Sequence, residues 1–257
     1  MALRDYQIQA VEMLRESMRK GHRRICLVSP TGSGKTVLAS EILRLAVSKQ
    51  QRCLFLCHRA ELADQAAATL ARNGVSCGTI SASASSAPQP FAAVQVATVQ
   101  TLISRKLRPD ASLIVADECH HFIGNGWRAL IGDYPGATVI GATATPERGD
   151  GKGLGELFSD IVVAVRPRQL IEQGYLVPAE IIRPAEKLKQ YQIAQRPVDA
   201  YRAHAQGRRA IMFCPRVQIA NEQRDEFRNA GWRAETVDGN TPWNQRRAAF
   251  EGLRDGT

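Results

Sequence analysis

A chain of 257 residues, 44% hydrophobic and 23% charged, can bury one large core or two modest ones and reads as an ordinary soluble globular protein. No apolar run approaches the roughly eighteen residues of a membrane span, and no charged-then-apolar leader opens the sequence. No membrane partner is therefore expected, and the default compartment is cytoplasmic. The formal net charge of +9 fits a polyanion partner without proving one. It is unevenly spread: residues 1–110 hold 15 Lys+Arg against 7 Asp+Glu, residues 111–165 hold 3 against 7, and residues 166–257 hold 16 against 11.

In chain order, short apolar runs alternate with segments of helical period, the signature of parallel strands joined by crossover helices. Strands are predicted at 25–28, 53–57, 93–97, 113–116, 138–141 and 161–165. Their near-unbroken apolar character is that of strands covered on both faces. Leu38, Ile42 and Leu45 repeat at helical spacing after the first strand, and Leu62, Ala66 and Leu70 after the second. Residues 81–90 are low in complexity and predict a surface loop. Cys53 and Cys57 lie too far apart along one strand to pair, and the six cysteines are expected as reduced thiols. A short helix at 168–173, stopped by Gly174 and Pro178, marks the end of the first unit. Beyond it the pattern restarts: strands at 210–213 and 233–237, helices at 217–229 and 242–253. The expected layout is an α/β domain over 1–166, a linker over 167–182 and a partial second α/β domain over 183–257.

The strongest chemical signal is SPTGSGKT, comprising Ser29, Pro30, Thr31, Gly32, Ser33, Gly34, Lys35 and Thr36, placed after a strand and opening a helix. Its glycines let backbone amides turn toward phosphate oxygens. Lys35 reaches the terminal phosphates, and the Thr36 hydroxyl is placed to ligate Mg2+. Ser29 stands where the general pattern has its first glycine. The second signal is LIVADECHH, an apolar strand ending in two acids. The carboxyl ends of parallel strands are where such sheets bind ligands. Asp117 is therefore assigned to Mg2+ through its water shell, and Glu118 to orienting the attacking water. His120 and His121 are expected to point opposite ways from a strand end. No second ligand pair at suitable spacing supports a zinc site.

SPTGSGKT, then DECH, then GATATP at 141–146 resemble, in that order, the superfamily 2 helicases and translocases. The resemblance implies a RecA-like P-loop domain with a parallel sheet, followed by a partial second RecA-like domain, with ATP and Mg2+ as cofactors. LRDYQ at 3–7 resembles the adenine-reading motif and implies Gln7 as a base contact. HRAELADQ and ATVQTL resemble the strand-contacting motifs and imply nucleic-acid roles for Arg59, Thr98 and Gln100. Thr143 and Thr145 match the motif that couples the nucleotide site to the nucleic-acid path. MFCPRVQIANEQRDEF and VDGNTPWNQRRAAF resemble the start of the second motor domain, whereas no residue matches motifs V and VI. The missing half is expected in cis or from a partner subunit. LRDYQ and ATPERGDGKGLGELF resemble the repair, phage and restriction branch, which favours DNA over RNA. The reading is an ATP-dependent DNA helicase or translocase. A non-motor nucleotide- and nucleic-acid-binding clamp is the alternative, and a nucleotide kinase is weakened because DECH and TATP have no role in that chemistry.

Overall fold

The computed structural model describes residues 3–82, 89, 91–121, 124–146, 153–182 and 196–256. Two compact units divide the chain, Met1–Ala179 and Glu180–Thr257.

The first unit is built on seven parallel strands, β1 (Arg24–Val28), β2 (Cys53–Cys57), β3 (Cys77–Ile80), β4 (Val94–Thr98), β5 (Leu113–Asp117), β6 (Thr138–Thr143) and β7 (Asp160–Val163). Their spatial order is β3-β4-β2-β5-β6-β1-β7. β2 and β4 are buried at every residue, as expected where helices cover both faces of a sheet. One face carries α1 (Asp5–Arg19), α2 (Lys35–Val47) and α3 (Ala60–Arg72), whose Leu14, Leu38, Leu43 and Leu70 close on Ile25, Phe55 and Val115. On the other, α4 (Val99–Ser104) and α5 (Asn125–Gly132) bring Leu102, Trp127 and Leu130 onto Leu54, Ile114 and Val139. The short α6 (Pro167–Glu172) follows β7.

Six of these strands fall where the apolar runs predict them, β2 at both ends and the others with one or both ends moved by one or two residues. β3 was not predicted, because CGTI holds one large apolar residue and lies at the sheet edge, only partly buried. Most of the predicted 81–90 loop, and residues 147–152 of the ATPERGDGKGLGELF stretch, lie outside the described residues.

The second unit holds α7 (Pro197–His204), α8 (Val217–Asn229) and α9 (Trp243–Asp255). α8 matches its expected span, and α9 matches to within two residues. The strands expected at 210–213 and 233–237 are corrected: among the described residues neither joins a sheet. Ile211, Met212 and Phe213 are exposed at 61%, 44% and 91%. An apolar run becomes a strand only when a neighbour satisfies its backbone, and these runs have none here. What packs this unit is aromatic: Tyr201 lies 5.6 Å from Phe227 and 5.0 Å from Trp232, centre to centre.

Gly141 shows how tightly the first core is set. A Cβ there would lie 2.3 Å from Cζ of Phe158 and 2.9 Å from Cβ of Cys119. Gly141→Ala should therefore destabilise the chain by about 1–3 kcal/mol through overpacking, read as a lower urea midpoint at unchanged slope.

Candidate functional site

A parallel sheet brings the carboxyl ends of all its strands to one edge, and every predicted site residue except Gln7 lies within a strand's last residue or the loop and helix that follow it. In spatial order this edge carries Thr98 and Gln100 after β4, Arg59 after β2, Asp117 and Glu118 at β5, Thr143 at β6, and Ser29 to Thr36 after β1.

The phosphate loop is held from within. Gly32 and Gly34 adopt φ of 81° and 80°, the left-handed region that glycine alone enters without strain, and Gly34 caps α2. The Ser33 hydroxyl donates to the Pro30 carbonyl at 2.6 Å and lies 2.7 Å from the Ser29 hydroxyl. Ser29, at the position of the pattern's first glycine, thus supplies a hydroxyl that braces the loop. Its amide donates to the Thr143 carbonyl at 2.9 Å, tying the loop to the end of β6. Gln7 is buried under this loop. Its amide nitrogen donates to the carbonyls of Ser33 and Gly34 at 3.1 and 3.4 Å, and its oxygen accepts from the Arg4 amide at 3.0 Å.

Lys35 Nζ lies 3.6 Å from Glu118 Oε1, with both side chains mostly covered. Burial, then repulsion from Glu118, holds the Asp117 carboxyl above the usual carboxylate range; Lys35 and the Glu118 amide at 3.1 Å oppose this. Glu118 itself sits at φ 49°, a backbone conformation that costs a non-glycine residue about 1–3 kcal/mol and clusters at functional sites. The chain turns there at once, into a 3-10 turn at Cys119–His121. This corrects the expectation that His120 and His121 diverge: alternation holds only along a strand, and on the turn their rings lie 4.0 Å apart. His121 also lies 4.6 Å from His58, whose buried Nδ1 has no hydrogen-bond partner among the described residues. These three tilted rings join the residue before Arg59 to the acidic motif. Sequence spacing gave no sign of it.

Thr143 is the hub on the other side. Its hydroxyl donates to the Thr145 carbonyl at 2.9 Å and accepts from the Thr145 amide at 3.1 Å. With that proton spent, the 2.9 Å contact to His120 Nδ1 requires the histidine to donate. His120 Nδ1 also lies 3.5 Å from Glu118 Oε2. Burial, then His121, lowers the His120 pKa against the pull of Glu118, favouring the neutral ring.

Of the residues expected to meet nucleic acid, Arg59 and Gln100 are exposed. Thr98 is buried, and its hydroxyl donates to that of Thr101 at 2.7 Å. Among the described residues no three His, Cys, Asp or Glu come together as a metal site. The donor types of Thr36 and Asp117 suit Mg2+, which keeps several waters and leans on one or two carboxylates plus phosphate oxygens.

The sequence pattern of the family described as "Type III restriction enzyme, res subunit" matches residues 1–148. The chain belongs to this family. It is accordingly a member of the superfamily 2 helicase family, of the restriction, phage and repair type, and its first unit has a RecA-like fold. A "51.5 kDa protein" of a Lactococcus phage is 29% identical over 248 residues, covering 89% of this chain and 52% of the relative. The "Type I restriction enzyme EcoAI endonuclease subunit" of Escherichia coli is 33% identical over 195 residues, covering 70% and 24%. The structure of the UvsW helicase from bacteriophage T4 superposes with a TM-score of 0.52 at 20% identity, covering 63% of this chain and 60% of that one. The helicase-family chain thus spans about half the length of the phage relative and about a quarter of the restriction subunit.

Because the Asp117 pKa is raised, its ionised form is disfavoured by folding, and its contribution to stability is lost as pH rises through the folded value. Asp117→Asn should therefore raise the melting temperature of metal-free protein at neutral pH. The gain should shrink as pH falls through the carboxylate range, which melting curves in chelator across pH will read.

Proposed function

We propose that this chain is the nucleotide-driven portion of a DNA helicase or translocase, binding ATP with Mg2+ and tracking single-stranded DNA. The observation that carries the reading is the order along the carboxyl edge: exposed Arg59 and Gln100 at one end, the phosphate loop at the other, the acidic motif between. DNA is favoured over RNA by the restriction-enzyme family and by the EcoAI relative.

Each residue has a task in this reading. The loop amides and Lys35 hold the phosphates, while Thr36 and Asp117 hold the cation. When bound, Mg2+ supplies a positive charge that offsets charge building on the transferred phosphoryl group. Glu118, pinned by its own backbone and by Lys35, orients a water for attack. Thr143 and His120 fix the far side of Glu118, and the His58–His121 pair extends that contact to the loop carrying Arg59. Arginines from motif VI would face the nucleotide from further sequence in cis or from a partner subunit, a contribution of about 10³ to 10⁵ in rate. One observation favours the non-motor clamp: the second unit carries no strand ladder among its described residues.

Turnover decides between the two. Lys35→Ala should lose most nucleotide affinity with its fold intact. Glu118→Gln should bind ATP·Mg2+ at wild-type affinity and turn over at least about 10²-fold more slowly, the usual contribution of a positioned base. Undiminished turnover in Glu118→Gln would remove Glu118 from the mechanism, and wild-type binding with no turnover at any DNA concentration would establish the clamp.

On the nucleic-acid side, affinity for single strands should fall steeply with salt, with a log-log slope of about −0.7 per phosphate neutralised. Arg59→Ala should make that slope shallower by about one such step, as measured by fluorescence anisotropy on sequences of mixed composition.

A further inference from the structure

The phosphate loop is braced by a segment that none of the sequence motifs contains. After α6 the chain turns through Gly174, at φ 72°, into Tyr175 and Leu176. The amides of both residues donate to the Leu170 carbonyl, at 2.8 and 3.1 Å. Leu170 is fully buried with Tyr6 and Val165, and Leu176 packs against that cluster. From this anchored turn the two side chains reach different parts of the site. Leu176 lies against Gly32, where a Cβ would come within 2.9 Å of its Cδ2. The Tyr175 ring lies under the Arg4 guanidinium, 3.9 Å from its centre, and meets Tyr6 edge-on at 6.0 Å. Tyr6 closes the circuit: its hydroxyl accepts from Arg4 at 3.1 Å and donates to the Ser33 carbonyl at 2.6 Å.

Gln7 alone cannot hold a base in this arrangement. Both of its N–H bonds go to loop carbonyls and one lone pair is taken by the Arg4 amide, which leaves one acceptor site for a base edge and nothing to fix the base plane. A guanidinium laid on an aromatic face is a flat, delocalised cationic surface of the kind on which a purine stacks. A cleft of about 100 Å³ is lined by Leu3, Val37, Ser40, Glu41, Arg44 and Asn73. Leu3 is the chain neighbour of Arg4, and Val37 lies two residues beyond Lys35. Tyr175 keeps 44% of its surface exposed although it is anchored from below.

We propose that Tyr175 is a positioning residue for base recognition: it holds the Arg4 guanidinium plane as the platform on which the purine of a nucleotide stacks, while Leu176 ties that platform to the phosphate loop at Gly32. The inference rests on the nucleotide reading of residues 29–36. It adds a residue from outside the LRDYQ segment to the base side of the site. It also makes base and phosphate binding meet in one turn just before the first unit ends at Ala179.

The test is calorimetric titration of the chain with Mg·ATP and with Mg·tripolyphosphate, which has the phosphates but no base, for wild type, Tyr175→Leu and Tyr175→Phe. Wild type should prefer ATP. Tyr175→Leu should lose about tenfold in ATP affinity, the size of one base-stacking contact, and keep its tripolyphosphate affinity. Tyr175→Phe should restore ATP binding. Equal binding of ATP and tripolyphosphate by wild type would overturn the proposal while sparing the phosphate-loop reading. Unchanged ATP affinity in Tyr175→Leu, or an equal loss for both ligands, would also overturn it, the latter by showing a merely structural role. Failure of wild type to bind either ligand would remove the nucleotide reading itself and the proposal with it.

Discussion

A sheet whose strands all run the same way has one chemically special edge, and the first unit depends on that constraint. Each parallel crossover returns the chain to the opposite edge, so the loops that leave the carboxyl ends of β1, β2, β4 and β5 each lead toward a helix. Neighbouring strands lie about 4.8 Å apart. Residues from five loops scattered between positions 29 and 143 are thereby lined up within a few strand widths. The motifs need no direct sequence proximity; the register of β4, β2, β5, β6 and β1 supplies it.

Within that line, electrostatics and backbone strain act together on the acidic motif. Burial, then repulsion from the adjacent Glu118, raises the Asp117 pKa. Lys35 draws Glu118 toward the phosphate loop, and the left-handed turn at Glu118 points the next residues into the histidine cluster. The surrounding contacts over-determine the strained residue, which is the condition under which such strain persists. Thr143 then has a defined place in the proton inventory: a donor to Thr145 and an acceptor from His120.

How much of this was legible depended on whether a feature leaves a mark in local pattern. The strands of the first core did, because burial on both faces forces unbroken apolar runs such as CLFLC. The phosphate loop did, because its glycines and lysine are fixed in spacing by the ligand they would cradle. β3 did not, since an edge strand needs little apolar cover. The runs at 210–213 and 233–237 carry the pattern of strands without a sheet to join, which shows that pattern records a propensity and pairing is a separate matter. The histidine cluster and the Tyr175 turn were invisible for another reason. Each joins residues distant in sequence, His58 with His121 and Arg4 with Tyr175, and no spacing rule reaches that far.

The sheet order also bears on how the molecule comes into being. β1 is flanked only by β6 and β7, and its register pairs Arg24 with Val139 and Ile25 with Asp160. During synthesis β1 therefore has no partner in this sheet until residues about 115 positions later have been made. β2 and β4, by contrast, pair over a much shorter stretch, Cys53 with Val94. Assembly during synthesis should begin around β2 and β4 and finish at β1, because long-range parallel pairing bears its loop-closure entropy before any contact repays it. Until then the segment holding Ile25, Cys26 and Leu27 is an unpaired apolar strand in a nascent chain, the kind of segment that chaperones hold.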